Sequence, residues 1–272
     1  MLAINPMQRQ GRKPQTIRNV FFALRASLTI AVENGALRAN PCTGIKLPSN
    51  ETAGNEVTTT FLRAEQVAQL ADAIRPPFAT MIYTAAYTGL RAGELCPLRV
   101  QDLDLLRRRI HVRASIAEVD GQLIRVATKT KRQRTVGLPV FLADILAAYL
   151  ADRPHGPDDL VFDDPTRPGT WLRQANWYVT HFKPAVRKAG LPTNIRFHDL
   201  RHTCASLLIA QGADPKAVST RLGHTTVQMT LDRYTHLFAN RDDEITTGLD
   251  TMYRAAAGAT VAIPTGEVVP LR

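Results

Sequence analysis

Three short segments of this 272-residue chain carry side chains suited to handling a phosphate. The first is Thr88-Gly-Leu-Arg-Ala-Gly-Glu-Leu95. Gly89 is placed to end a helix, and Arg91 on the turn after it can present a planar fork to a phosphate. Glu94 is placed to hold that arginine. The second is His198-Asp-Leu-Arg-His-Thr203, where His198 and Arg201 share a helix face. Together they suit an anionic, pentavalent transition state, with Arg neutralising charge and His donating a hydrogen bond or moving a proton. The third runs from Leu222-Gly-His224 to Tyr234, with Gly223 breaking the chain before His224 and Tyr234 near the end of the helix that follows. A tyrosine alone is more often a packing residue. As a nucleophile its phenolate needs cations close by, and Arg91, Arg201, His198 and His224 are available.

A competing chemistry is metal binding, because His198 and His202 are four apart like a helical zinc pair. The general-base glutamate of that motif is missing, since Asp199 follows His198. Arg201 would also repel a dication. Phosphate chemistry is the better fit.

The elements that must position these groups are mostly helices. Ile17, Val20, Phe21, Leu24, Leu28 and Val32 recur at helical spacing, predicting an amphipathic helix over 15–34. Its apolar face, Phe21 and Leu24 included, is expected to be exposed. The polar stretch 48–60 reads as a linker. Helices follow over 64–74, 78–88 and 92–98. The centre alternates apolar and polar residues over 109–115 and 123–127, with the hairpin signal Asp120-Gly121 between them. A third strand at 135–138 follows the basic loop 129–134. Further helices are predicted over 141–150, 171–188, 199–211, 215–222 and 227–237, with one more over 245–256. The expected fold is mainly α with a small antiparallel β-sheet (α+β).

Lys and Arg number 34 against 24 Asp and Glu, a formal net charge of +10 with pI near 9.9. Such an excess suits a polyanionic partner, nucleic acid before others. Nine of these cations lie between Arg107 and Arg134, opposed only by Glu118 and Asp120. Arg9, Arg12, Lys13, Arg18 and Arg25 form a second group. From these groups Arg12, Lys13, Arg18, Lys131, Arg132 and Arg134 are the candidate DNA contacts. Cys42, Cys96 and Cys204 make no CxxC pair, which fits a reducing, intracellular setting. No signal peptide or membrane span is legible, so the expected location is the bacterial cytoplasm, at the nucleoid, with no membrane partner.

Taken in order, TGLRAGEL, HDLRHT and LGH with a tyrosine ten residues on resemble the signature of the tyrosine site-specific recombinases, the phage-integrase family. The resemblance covers roughly 61–238. It implies that Arg91 clamps a phosphate and that His198 and Arg201 form the second box. His224 would orient the scissile phosphate, and Tyr234 would be the nucleophile. It also implies a lysine on the hairpin that protonates the leaving 5′ oxygen. Alignment on the closing Arg-Thr-Val-Gly-Leu puts it at Lys129, with Lys131 the fallback. Double-stranded DNA, a tetramer of this chain on two DNA sites, and accessory DNA-bending or directionality proteins are the implied partners. No cofactor is implied. The implied organisation is a partial helical core-binding domain at 1–47, a linker at 48–60, the catalytic domain at 61–238 and a tail at 239–272. The short N-terminal portion keeps a second class open, a non-catalytic DNA-binding remnant. A metal-dependent hydrolase is a third, and a type IB topoisomerase shares the chemistry.

Overall fold

Local sequence signals account for where most of the elements begin and end. The computed structural model describes residues 4–48, 60–127, 133–238 and 242–256. It divides into two units, 1–58 and 59–272.

In the first unit, α1 (Ile4–Arg9) is followed by α2 (Pro14–Glu33). Proline opens α2, where its missing N–H costs nothing, and Gly35 follows its end with φ near 74°. Ile17 and Phe21 are buried, while Val20, Phe22, Leu24 and Ile30 are exposed. Phe21 therefore corrects the expectation of a wholly exposed apolar face, and Leu24 keeps it. Asn40 fastens the segment after α2 by donating to Arg25 O at 3.0 Å and to Thr29 Oγ1 at 2.8 Å.

The second unit opens with α3 (Ala64–Ala73) and α4 (Pro76–Thr88), which pack on each other. The helix α4 is close to apolar all round and has eight buried residues, as a helix inside a core should be. Its threonines stay dry because Thr84 donates to Thr80 O at 2.7 Å. After α5 (Ala92–Leu95), a 3-10 turn at Val100–Asp102 leads to β1 (Leu103–Asp104) and β2 (Arg109–Val112). Then come β3 (Ala114–Val119), β4 (Gln122–Ala127) and β5 (Arg134–Gly137).

These strands make two sheets rather than one. The hairpin β3–β4 stands by itself, closed at Asp120-Gly121, both with positive φ. The last strand, β5, instead pairs antiparallel with β2, in the order β1-β2-β5. Burial explains the split: Ile110, Val112 and Val136 are core residues, whereas β4 has no buried residue.

Beyond α6 (Val140–Ala151), a short hairpin of β6 (Asp163–Asp164) and β7 (Arg167–Trp171) occupies a stretch whose end was expected to start a helix. The helix begins only at α7 (Gln174–Trp177) and runs through a π-helical turn, Tyr178–Phe182, into α8 (Lys183–Lys188). The added residue of a π turn re-aims the side chains on either side of it. Trp177 and Phe182 both face the core, Trp177 packing edge-on to Phe78 and Phe197, with ring centroids 5.6 and 5.1 Å apart. Phe197 immediately precedes His198, so this aromatic cluster fixes where the second box starts.

The remaining elements are α9 (Asp199–Ala210), α10 (Pro215–Leu222), α11 (Gln228–Tyr234) with a 3-10 turn, and α12 (Asp242–Ala256). α9 packs on α4 and on α10, and α10 on α11. Cys204, Ala205, Val218, Leu222 and Tyr234 form a small second core between them. Among the described residues no helix is long and apolar enough to cross a membrane.

Candidate active site

Two glycines make the site possible. Gly89 ends α4 with φ near 68°, a conformation that favours glycine. A Cβ there would lie 2.4 Å from Leu222 Cδ2. Gly223 ends α10 with φ near 67°, and a Cβ there would lie 2.9 Å from the Arg134 guanidinium. Each turn thus lets a backbone approach a neighbour closely. The two bring the loop after α4 against the end of α10.

Arg91 sits at the start of α5, and Glu94 closes the turn onto it. The carboxylate accepts from the Arg91 backbone N at 2.9 Å and from its Nη1 at 3.0 Å. The same carboxylate also takes both terminal nitrogens of Arg134, at 2.9 and 2.8 Å. Arg134 had been expected among the DNA contacts. In the structure it buttresses the Arg91 turn, its fork held by Glu94 and its Nε donating to Arg221 O at 3.3 Å. Glu94 is 3% exposed. Burial pushes its carboxyl up, but the hydrogen bonds and charges of Arg134 and Arg91 outweigh this and hold it at about 2. Arg91 reaches across to the third segment, with Nη2 3.4 Å from Gly223 O. Arg221 adds a further tie, donating to Tyr87 O at 2.7 Å and Gly137 O at 2.9 Å.

Arg201 is buried on α9. Its Nη1 donates to Gly89 O at 2.6 Å, and among the described residues nothing accepts from its Nη2. Burial, then the charge of Arg91, lowers its pKa to about 9. A buried cation with an unused donor is costly, and an anion would relieve both conditions at once.

The histidines stay neutral. Burial, then Arg201, pushes His198 and His224 down to about 4. His224 Nδ1 lies 2.7 Å from Thr230 Oγ1 on α11. Tyr234 is 1% exposed, and its hydroxyl is 2.7 Å from His202 Nδ1. Burial raises its pKa to about 12 despite the opposing charge of Arg201.

Arg91, His198, Arg201, His224 and Tyr234 are thus brought to one region, each group close enough to feel the charge of others. Lys129, Lys131 and Arg132 lie outside the described residues. Arg12 and Lys13 are exposed in the first unit, and Arg18 Nη1 donates to Pro48 O at 3.3 Å. Sequence reasoning missed the buttress role of Arg134, which no local pattern marks in a run of basic residues. It also weighed His202 only as a metal ligand. The readable signal there was spacing, since His198 and His202 lie one turn apart, their rings edge-to-face at 5.0 Å. Among the described residues no group of three or more His, Cys, Asp or Glu is arranged to hold a metal ion.

A mainly helical unit with basic groups gathered round a tyrosine defines a class, and comparison with known proteins specifies it. The profile described as "Phage integrase family" matches residues 60–241. The ICEBs1 integrase of Bacillus subtilis (strain 168) is 29% identical over 259 residues, 89% of this chain and 67% of that protein. The integrase of Mycobacterium phage FRAT1 is 32% identical over 238 residues, 85% of this chain and 68% of that protein. Among solved structures, the Tn1549 transposon integrase in complex with a circular intermediate DNA superposes with a TM-score of 0.72 at 23% identity. That match covers 91% of this chain and 82% of that one, and it speaks to the fold. The chain belongs to the phage integrase family of tyrosine recombinases, and its activity is site-specific DNA recombination.

Proposed function

We propose that this chain cuts and rejoins double-stranded DNA through a 3′-phosphotyrosyl bond to Tyr234. The phenol oxygen attacks the scissile phosphorus in line, releasing its proton to solvent as the new P–O bond forms, while the bond to the 5′-oxygen breaks and that oxygen leaves as a hydroxyl. The bond energy stays in the ester, so resealing by the hydroxyl of a partner strand needs no nucleotide. Arg91 and Arg201 neutralise the charge that builds on the equatorial oxygens, with His198 and His224 as hydrogen-bond donors. Arg201 Nη2 is the donor most clearly free for this. Lys129 protonates the leaving oxygen. The reading is supported above all by one observation: the Gly89–Arg91 turn meets Arg201, 112 residues beyond Gly89, and the His224 loop, so that two arginines, two histidines and a tyrosine lie within electrostatic reach of one another.

The test is covalent trapping in EDTA. The protein is incubated with fragmented, nicked genomic DNA from its host and quenched in SDS, and the attached DNA is sequenced. Adducts are expected from the wild type and not from Tyr234→Phe. DNA retained before SDS and none after it would favour the binding remnant instead.

The assembly expected for exchange is four copies on two DNA sites. α12 supports it, since Leu249, Met252 and Tyr253 are exposed at helical spacing. Deleting 242–272 should lower self-association on DNA, measured by light scattering. Unchanged assembly would count against a role for the tail.

A further inference from the structure

The hydroxyl expected to attack a phosphate is 2.7 Å from a histidine that the mechanism above does not use. His202 is buried on α9, next to Arg201. Its ring meets Tyr234 at a centroid distance of 5.8 Å. The tyrosine is enclosed on other sides too. It belongs to the small core with Cys204, Val218 and Leu222, and the Phe61 ring lies 6.4 Å away. That cover is pinned in turn, since Leu62 N donates to Thr203 Oγ1 at 3.0 Å and Thr203 donates to Asp199 O at 2.9 Å. With 1% of its surface exposed, Tyr234 cannot meet a DNA phosphate from this position.

We infer that His202 is a positioning residue that parks the nucleophile: its Nδ1 holds the Tyr234 hydroxyl inward, and Tyr234 must give up this partner before it can attack. This rests on the reading of Tyr234 as the nucleophile. A neutral imidazole protonated on Nε2 accepts from the phenol at Nδ1. Burial, then His198, keeps this ring neutral by pushing its pKa down to about 3. Against a phenol at about 12, such a ring is far too weak to take the proton, so it holds the hydroxyl rather than activating it. Parking leaves the arginines free to bind DNA first.

The test uses the full chain and needs no DNA in its first arm. Tyr234 is nitrated with tetranitromethane and followed by peptide mass spectrometry, with exposed Tyr253 as the internal reference. His202→Phe fills the space without an acceptor, and His202→Asn keeps an oxygen where Nδ1 stood. Nitration of Tyr234 should rise about fivefold in His202→Phe, the scale of one lost buried hydrogen bond, and stay near wild type in His202→Asn. In the second arm, the trapping assay should give faster adducts for His202→Phe. Unchanged nitration, or faster nitration with slower adducts, would overturn the inference. Should the wild type form no adducts at all, the proposed function fails, while nitration still decides whether His202 holds the phenol.

Discussion

At the scale of single residues, Glu94 decides more than its size suggests. One carboxylate orients the arginine offered to the phosphate and neutralises the one behind it. Removing it leaves the part-buried Arg134 without its carboxylate partner, which costs about 1–3 kcal/mol. Glu94→Ala should therefore lower the melting temperature sharply as well as abolish adducts. The folded carboxyl titrates near 2, below its ordinary 4.5. Its contribution is thus complete above pH 4.5 and disappears as pH falls through 2. The three neutral histidines act in the same direction from a higher pH. His198, His202 and His224 are held below their ordinary 6.5, so the stability they favour is complete above that value and falls as they are forced to charge. Melting between pH 7 and 4 should show this loss, and a flat profile would contradict it. Inorganic phosphate should raise the melting temperature by binding at the buried Arg201. Arg201→Ala should abolish the phosphate effect. Lys129 needs a chemical test: Lys129→Ala should block cleavage of an ordinary strand but cut one whose bridging 5′ oxygen is sulfur, a leaving group that needs no proton. The candidate residues could be singled out in the sequence because each segment keeps them within ten positions of one another. Arg134 and His202 were not, because their roles depend on partners 40 and 32 residues away.

At the scale of elements, the site depends on how helices end. Gly89→Ala and Gly223→Ala would each force a side chain into positive φ, ~1–2 kcal/mol before any clash. The 2.4 Å approach to Leu222 makes Gly89 the worse of the two. Both variants should lose trapping activity, Gly89→Ala with the larger drop in thermal stability. Helix ends and the β3–β4 hairpin were legible because Gly, Pro and Asp-Gly act locally. Three features were not. The pairing of β5 with β2 depends on which strand faces the core. The β6–β7 hairpin is too short to show a period. The π turn at Tyr178–Phe182 leaves the apolar pattern looking like an ordinary helix, and only the packing of Trp177 and Phe197 reveals it.

At the scale of the molecule, the unit from Thr59 onward holds the large core, the small core and every described member of the constellation. A protein comprising 59–272 should fold with a cooperative melt, and its DNA retention should fall less steeply with salt than that of the full chain, because it lacks Arg9, Arg12, Lys13 and Arg18. The full chain, with its net charge of +10, should show the larger salt dependence. The order of the constellation along the chain has a further effect. Arg91 comes first and Tyr234 last, and the turn that carries Gly223 must be in place before Arg91 and Arg134 find their final partners. During synthesis, then, Arg91 is made long before the nucleophile, and His198, Arg201 and His224 follow shortly ahead of it. A nascent chain that has reached His224 already carries every candidate cation of the described site, yet no nucleophile until Tyr234 is added.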